Sequence, residues 1–209
     1  MQMTSNLFDQ RAAGWDNNPG RVALARAVVA AIRDAVPLRP DMRVMDFGAG
    51  TGLVTLGLLD DVGEITAVDA SAGMLRVLAE KTAVWGSHRV RTLRCDVSTE
   101  ALPQAAFDLV VSSMTLHHLP DVPAVLKRLR ASLRPGGWIA LADLDTEDGS
   151  FHADKTGVYH CGFERAEVCR WLTGAGYAGA AARDAYRMTK PGSDGVIRDY
   201  PVFLATART

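Results

Sequence analysis

The sequence has few cysteines and no long apolar run. Its three cysteines, Cys95, Cys161 and Cys169, do not form the C-x-x-C pairs that zinc sites and redox motifs use. The composition therefore predicts neither a disulfide framework nor a cysteine zinc site, and it favours a reduced, cytoplasmic protein. No apolar segment approaches the roughly 18 residues of a membrane-spanning helix. The first residues also lack the apolar core of a signal peptide, so we expect no membrane partner.

The sequence also lacks a strong net charge. Its 209 residues carry a formal net charge of −1, so no global basic field would attract nucleic acid or an anionic membrane. Hydrophobic residues make up 48% of the chain and charged residues 22%, which is typical of a folded domain with a buried core. We expect a single domain over residues 1–209 without a nucleic-acid partner, and the sequence leaves the oligomeric state open.

Strand-like and helix-like segments alternate along the chain, as they do in a parallel sheet with helices on both faces. The predicted strands are 43–47, 64–69, 90–96, 107–114 and 138–145, with two weaker candidates near 181–188 and 201–207. The predicted helices are 21–36, 53–61, 72–86, 122–135 and 164–176. We therefore predict an α/β fold with a doubly wound, Rossmann-like, mostly parallel sheet of seven strands.

A glycine-rich stretch, 44-VMDFGAGTG-52, follows the first predicted strand. Glycine at Gly48, Gly50 and Gly52 lets a ligand approach the backbone without meeting a Cβ atom. Asp69 closes the second strand, where a carboxylate can accept hydrogen bonds from both hydroxyls of a ribose. These features predict a nucleoside-binding site. The dinucleotide fingerprint G-x-G-x-x-G is incomplete, since Leu53 occupies the place of its third glycine, and the phosphate-binding G-K-[ST] sequence is absent.

The stretch 46-DFGAGTG-52 resembles the first motif of the class I S-adenosylmethionine-dependent methyltransferases. Four further segments resemble family motifs in the same order: 68-VDAS-71, 95-CDV-97, 107-FDLVVSSMTLHHLPD-121 and 133-LRPGGWIALAD-143. The most similar group comprises small-molecule methyltransferases such as those of quinone biosynthesis. The resemblance implies S-adenosyl-L-methionine as cofactor and in-line methyl transfer to a small-molecule acceptor. The alternatives are a cofactor-binding sensor or partner subunit without methyl transfer and, less favoured, a nicotinamide-dependent oxidoreductase.

The resemblance also implies which positions hold the cofactor. These are Asp46, Gly48, Ala49 and Gly50 beside the methionine moiety, Ser112 at its amino end, Asp69 on the ribose, and Ala70, Met74, Asp96 and Val97 around the adenine. In the family an N-terminal segment covers the cofactor, and here that segment is 7–16, with Trp15 as an aromatic cover. The expected organisation is an N-terminal helical lid (1–36), a cofactor-binding core (40–145), and a substrate loop with the C-terminal strands (146–209).

A general base is needed only if the acceptor loses a proton as it attacks, and histidine can take up a proton near neutral pH. His118 follows the fourth strand and matches a histidine frequent in the family, although it could instead anchor the turn. His152 and His160 lie in a loop after the fifth strand, at the ligand-binding edge of the sheet. That loop could line the acceptor pocket, pack structurally or hold a divalent metal. We predict these three histidines as catalytic candidates, and no metal ion.

Overall fold

The protein is described by a computed structural model that covers residues 2–84 and 88–209, with side chains from residue 7 onwards. The seven strands are β1 (Arg43–Phe47), β2 (Glu64–Asp69), β3 (Val90–Arg94), β4 (Phe107–Ser113), β5 (Leu133–Leu144), β6 (Ala178–Pro191) and β7 (Ile197–Arg208). The α-helices are α1 (Gln2–Arg11), α2 (Pro19–Ala35), α3 (Leu53–Leu58), α4 (Ala72–Val84), α5 (Val122–Ser132) and α6 (Arg165–Gly174). Short 3₁₀ helices span Ala12–Asn17 and Leu116–His118.

The strands form one sheet in the order β3-β2-β1-β4-β5-β7-β6. The first five strands pair in parallel, whereas β7 pairs antiparallel with both β5 and β6. The predicted fold class, a mostly parallel Rossmann-like sheet of seven strands, is confirmed. Both weak C-terminal strand candidates are real strands, and both extend further than predicted.

Local sequence signals explain most element boundaries. The N-cap of α2 is Asn18, whose Oδ1 accepts a hydrogen bond from the amide of Gly20 at 2.9 Å, and Pro19 occupies the first turn. Asp121 caps α5 in the same way, accepting from the amide of Ala124 at 3.0 Å. The predicted end of α4 at 85–86 lies outside the described residues.

Hydrophobic side chains cover both faces of the sheet. One cluster packs α5 and α6 against it and includes Leu126 and Leu172, and the other packs α2 and α3 through Ile32 and Leu58. The predicted central strand, β4, lies between β1 and β5 and is buried along most of its length. In the described part of the chain, no helix is both long and apolar enough to cross a bilayer.

The carboxyl ends of β1, β2, β4 and β5 meet at one edge of the sheet, because these strands run parallel. Ligands of open α/β sheets bind outside this edge. The glycine turn, Asp69 and the predicted histidines all follow strands that end there.

Candidate active site

The glycine turn after β1 opens on a cavity at the carboxyl edge of the sheet. Gly48 and Gly50 have φ values of 70° and 55°, which favour glycine. A Cβ atom at Gly48 would lie 2.2 Å from Oγ1 of Thr115, so only glycine lets the segment after β4 come this close. A Cβ atom at Gly50 would meet nothing within 4 Å, and the residue lines the cavity. The turn therefore offers bare backbone to a ligand.

Asp69 joins the end of β2 to the glycine turn. Its Oδ2 accepts a hydrogen bond from the amide of Gly50 and its Oδ1 accepts one from the amide of Ser71, each at 2.8 Å. Burial raises the pKa of this carboxyl group, while the backbone donors lower it. Each carboxylate oxygen can accept a second hydrogen bond. Asp69 also lines the cavity, so its position fits the diol of a ribose.

Asp46 links the strand before the glycine turn to the helix after it. Its side chain is buried, and Oδ2 accepts a hydrogen bond from the hydroxyl of Thr55 in α3 at 2.6 Å. Burial raises the pKa of Asp46 to about 6, an effect that the Thr55 hydrogen bond partly offsets. Of the two roles implied for Asp46, this contact supports orientation of the loop.

The remaining residues predicted for the adenosine end, Ala70, Met74, Asp96 and Val97, all line the cavity. Ser112 does not belong to the lining. Its side chain is buried within the sheet, where the hydroxyl donates to the carbonyl of Phe47 at 2.8 Å. The segment Ser113–Thr115 lines the cavity instead, so the prediction for Ser112 is one position too early.

Helix α1 and the following 3₁₀ helix, hereafter the lid, cover the cavity. Asp9 accepts hydrogen bonds from the Ser71 hydroxyl at 2.6 Å and the Gly73 amide at 2.7 Å, and the Ser71 contact is the main cause of its lowered pKa. Asp16 accepts from the Thr51 hydroxyl at 2.6 Å, and it also pairs with Lys81. The lid is therefore tied to both the glycine turn and the start of α4.

Trp15 lies on the inner side of the lid and lines the cavity. The edge of Phe8 meets its ring at a centroid distance of 5.8 Å, and the guanidinium carbon of Arg21 lies 3.8 Å from its ring centroid. Arg21 also donates to the carbonyl of Trp15 at 3.2 Å. These contacts fix the indole at the wall of the cavity.

A buried histidine–aspartate pair lies after β4. Nδ1 of His117 is 2.7 Å from Oδ1 of Asp143, whose carboxylate also accepts from the amides of Leu116 and Leu144. Burial alone would raise the pKa of Asp143, but the neighbouring imidazole of His117 and its hydrogen bond hold it below the ordinary range. Nε2 of His117 is buried without a hydrogen-bond partner in the described residues, and the side chain lines the cavity.

His118 and His152 complete a cluster with His117. The ring centroid of His117 lies 4.2 Å from that of His118 and 5.0 Å from that of His152. Burial lowers the pKa of His118 to about 4 and that of His152 to about 3, and the neighbouring imidazole of His117 adds to both effects. Both side chains line the cavity and are neutral at pH 7. Nδ1 of His118 donates to the carbonyl of Gly157 at 2.8 Å, so the hypothesis that it anchors a turn also has support.

His160 is separated from this cluster. Its Nε2 lies 2.9 Å from the carbonyl oxygen of Leu119, and its ring packs on Phe163 at 5.0 Å. It does not line the cavity in the described part of the structure. We therefore correct the prediction for His160: it joins the loop after β5 to the segment before α5. Among the described residues, no group of three or more histidines, cysteines or acids could hold a metal ion.

Three residues of the cavity region were not among the predicted candidates: His117 and Lys190 line the cavity, and Asp143 pairs with His117. Asp143 lies at the carboxyl end of β5, one residue before the last, as Asp69 lies at the end of β2, and that similar position was the available signal. His117 is adjacent to the predicted His118, and only the 3₁₀ turn shows which ring meets Asp143. Lys190 lies on an edge strand far along the chain, and its sequence neighbours give no sign of its place in the cavity.

The cavity has a volume of about 760 Å³, within the usual range for small-molecule sites of roughly 300–1,000 Å³. It runs without interruption from Asp69 and Asp96 past the glycine turn to the histidine cluster. Bare backbone at Gly50 and an acid placed for a ribose fit a nucleoside cofactor, and the histidine end offers proton-accepting groups. The fold and site thus define an α/β enzyme whose cavity fits a nucleoside cofactor at one end and carries the histidine cluster at the other.

Comparison with known proteins assigns the family. The family model described as "Methyltransferase domain" matches residues 20–189. An uncharacterized methyltransferase of Mycobacterium tuberculosis is 33% identical over 144 residues, which cover 68% of this chain and 71% of the relative. The nocamycin O-methyltransferase of Saccharothrix syringae is 33% identical over 138 residues, covering 65% of this chain and 49% of the relative. The chain belongs to the class I S-adenosylmethionine-dependent methyltransferases, not to the nicotinamide-dependent oxidoreductases.

Solved structures agree on the fold. Phosphoethanolamine N-methyltransferase 2 of Haemonchus contortus, solved in complex with S-adenosyl-L-methionine, superposes with a TM-score of 0.72 at 16% identity. The match covers 87% of this chain and 52% of that one. The family and the fold together agree with the predicted cofactor, S-adenosylmethionine.

Proposed function

We propose that the protein methylates a small-molecule acceptor whose nucleophilic atom carries a proton, and that His117 accepts this proton. The observation that carries the proposal is the single cavity joining Asp69 and the glycine turn to His117 and Asp143. The nocamycin relative, an O-methyltransferase by name, supports an oxygen nucleophile. A small acceptor, not nucleic acid, is also consistent with the balanced charge of the chain.

The cofactor, when bound, supplies a methyl group on a sulfonium that is already activated for displacement. The protein has to align the acceptor, exclude water and remove a proton. The lid and the apolar walls exclude water. Asp143 keeps the hydrogen of His117 on Nδ1, which leaves the lone pair of Nε2 free to accept a proton. The buried carboxylate then stabilises the imidazolium, as in other His–Asp pairs.

His118 and His152 have a different part in this proposal. Because burial keeps both rings neutral, they do not repel the imidazolium that forms on His117. They can orient the acceptor by hydrogen bonds, and His152 has a buried Nε2 without a partner in the described residues. Within this scheme, the lid lies in the N-terminal helical region 1–36, residues 40–145 hold the cofactor and 146–209 supply the acceptor side. The sparse free cysteines support a cytoplasmic location.

A library experiment tests the proposal. Purified protein is incubated with S-adenosylmethionine labelled in its methyl group and with phenols, enols, alcohols and amines, and labelled products are identified. We expect transfer to at least one small acceptor, with the label on oxygen. Transfer that persists at the wild-type rate in His117→Gln would remove His117 from the mechanism. Transfer only to macromolecules would refute a small acceptor.

A further inference from the structure

A second charged group, Lys190 of β6, lines the same cavity on the acceptor side. Its ammonium donates to the carbonyl of Phe151 at 2.5 Å, with a longer contact to the carbonyl of Pro191 at 3.4 Å. It also lies 4.2 Å from the ring centroid of Phe151 and 4.9 Å from that of Tyr200. Phe151 directly precedes His152, so Lys190 borders the histidine cluster.

The charge of Lys190 is poorly compensated. In the described ranges, no carboxylate oxygen lies within the 4.0 Å of an ion pair from its ammonium. The negative charge of Glu147 raises the pKa of Lys190. Glu147 does not pair with the ammonium, however, and one of its oxygens accepts a hydrogen bond from the amide of Phe151. Burial lowers the pKa of Lys190, and its charge in turn helps to lower that of His152. A partly desolvated cation normally has an anionic partner, and the cavity leaves room for one.

We propose that Lys190 binds a carboxylate group of the methyl acceptor, which is then a small hydroxylated carboxylic acid. The inference rests on the proposed function, because it places the carboxylate at Lys190 and the hydroxyl at His117. A single ammonium balances a single negative charge, whereas a phosphate ester carries about 1.5 to 2. No arginine fork adjoins Lys190 to hold a dianion: Arg11 pairs with Asp154, and Arg21 covers Trp15 in the lid.

The cavity walls beside Lys190 are largely apolar, which suits an acceptor with a compact, apolar body between its carboxylate and its hydroxyl group. Leu24 and Ala25 of α2, Met188 of β6 and the ring of Phe151 line this part of the cavity. Methyl transfer to such an acceptor forms a bond between its hydroxyl oxygen and the methyl carbon. The carbon–sulfur bond breaks with its electron pair on sulfur, and the hydroxyl proton passes to Nε2 of His117. The carboxylate stays on Lys190 throughout, so it positions the acceptor and does not react.

The test uses matched pairs of small hydroxylated aromatic acids and their carboxamides, such as 4-hydroxybenzoate with 4-hydroxybenzamide. Turnover of labelled cofactor gives kcat/KM for each member. Thermal stabilisation of the protein saturated with S-adenosylhomocysteine reports binding separately. We expect at least one acid to be favoured over its amide by about tenfold or more, as for a hydrogen bond to a charged group. Lys190→Met should remove this preference, and Lys190→Arg should keep part of it.

Controls separate recognition from folding. Lys155→Met removes an exposed lysine of the loop after β5, outside the cavity lining, and should leave the preference unchanged. Each variant must still bind S-adenosylhomocysteine within about threefold of wild type. If acids bind through Lys190 but are not methylated, the proposed function is refuted while the binding of a carboxylate by Lys190 stands. Acids and amides used equally well, a preference that survives Lys190→Met, or no binding of any acid would overturn the inference.

Discussion

Nδ1 of His117 lies 2.7 Å from Oδ1 of Asp143, and both side chains are almost wholly buried where β4 and β5 end. A carboxylate only accepts hydrogen bonds, so the hydrogen lies on Nδ1. Nε2 consequently carries the lone pair; in the described residues it has no hydrogen-bond partner, and the His117 side chain lines the cavity. The pair is the arrangement that a general base requires: a proton acceptor, and a neighbour that fixes its tautomer.

The first prediction concerns this pair. His117→Gln should lower acceptor turnover by about 10²- to 10⁴-fold, the usual contribution of a general base. Asp143→Asn should also lower turnover, because the carboxamide no longer fixes the tautomer. Cofactor affinity should stay within about threefold in both variants, a change below ~0.7 kcal/mol. His160→Gln is the matched control, since His160 lies outside the cavity lining. Equal losses in His117→Gln and His160→Gln would indicate a structural effect only.

The second prediction tests the glycine turn. Gly50→Val should abolish cofactor binding, because its side chain would enter open space in the cavity. Gly179→Val is a matched control: Gly179 has a φ of 65°, near the 55° of Gly50, and a Cβ atom there would also meet nothing within 4 Å. Both variants therefore carry similar backbone strain, and only one obstructs the cavity. Calorimetry should find no binding by the first and normal binding by the second. Equal binding would show that the cofactor lies elsewhere.

The third prediction ranks two acids. Asp69→Ala should weaken cofactor binding more than Asp96→Ala, because Asp69 can accept from two ribose hydroxyls and also holds the glycine turn. Asp96 would accept one hydrogen bond from adenine. Hydrogen bonds to charged groups contribute roughly 1.5–3 kcal/mol each, so the losses should be tens- to thousandfold, with Asp69 at the upper end. Small, equal effects in a titration would contradict the placement of the ribose.

Much of this site could be predicted from the sequence because its polar groups follow strands. Asp46 and Asp69 lie at or next to the ends of buried strands, and the glycines between them have few uses in a fold other than a turn that approaches a ligand. Parallel strands bring such groups to one edge without any long-range information. Every position predicted for the cofactor lines the cavity except Ser112, which lies one residue before the lining segment Ser113–Thr115.

The acceptor side could not be predicted in the same way. Whether His117 or His118 meets Asp143 depends on a 3₁₀ turn between two elements, which no periodicity encodes. His160 lies in the same loop as His152 but faces Leu119, because the loop folds back toward the segment before α5. Lys190 reaches the cavity only through the antiparallel pairing of β6 with β7, a contact distant in sequence from the core motifs.

The fourth prediction concerns the lid. Asp9→Ala removes both side-chain contacts of Asp9, to Ser71 and to the amide of Gly73. We expect cofactor dissociation to accelerate by about tenfold, since hydrogen bonds to a charged acceptor are lost. Asp154→Ala breaks an exposed ion pair with Arg11 of the lid and a local hydrogen bond from the amide of Thr156, and exposed pairs contribute little. Stopped-flow dissociation should separate the two variants. A lid that contributes nothing to retention would give the same rate in both.

The fifth prediction concerns stability at acid pH. The folded-state pKa of His152, about 3, is below its unfolded value of about 6.5. Between these values the unfolded chain binds more protons, so this histidine reduces the stability of the fold as pH falls. When the pH is lowered from 7 to about 4.5, the melting temperature of His152→Gln should therefore fall by less than that of wild type. Asp46, whose pKa is raised to about 6, increases the stability of the fold as pH falls. Its effect is the same in wild type and in His152→Gln, so it cancels when the two are compared. His88→Gln, which changes an exposed histidine, should behave as wild type.

The most direct test of the central claim is a crystal structure of the complex with S-adenosylhomocysteine. It would give the distance between the cofactor sulfur and Nε2 of His117. If the cavity holds cofactor and acceptor together, one acceptor atom must fit between the cofactor sulfur and Nε2 of His117. A reacting distance of about 3–3.5 Å, the methyl group and a hydrogen bond of about 3 Å place that nitrogen within about 8 Å of the sulfur. We predict a distance in this range, with the adenosine at Asp69. A distance beyond about 12 Å, too far even for a bridging water, would contradict the account.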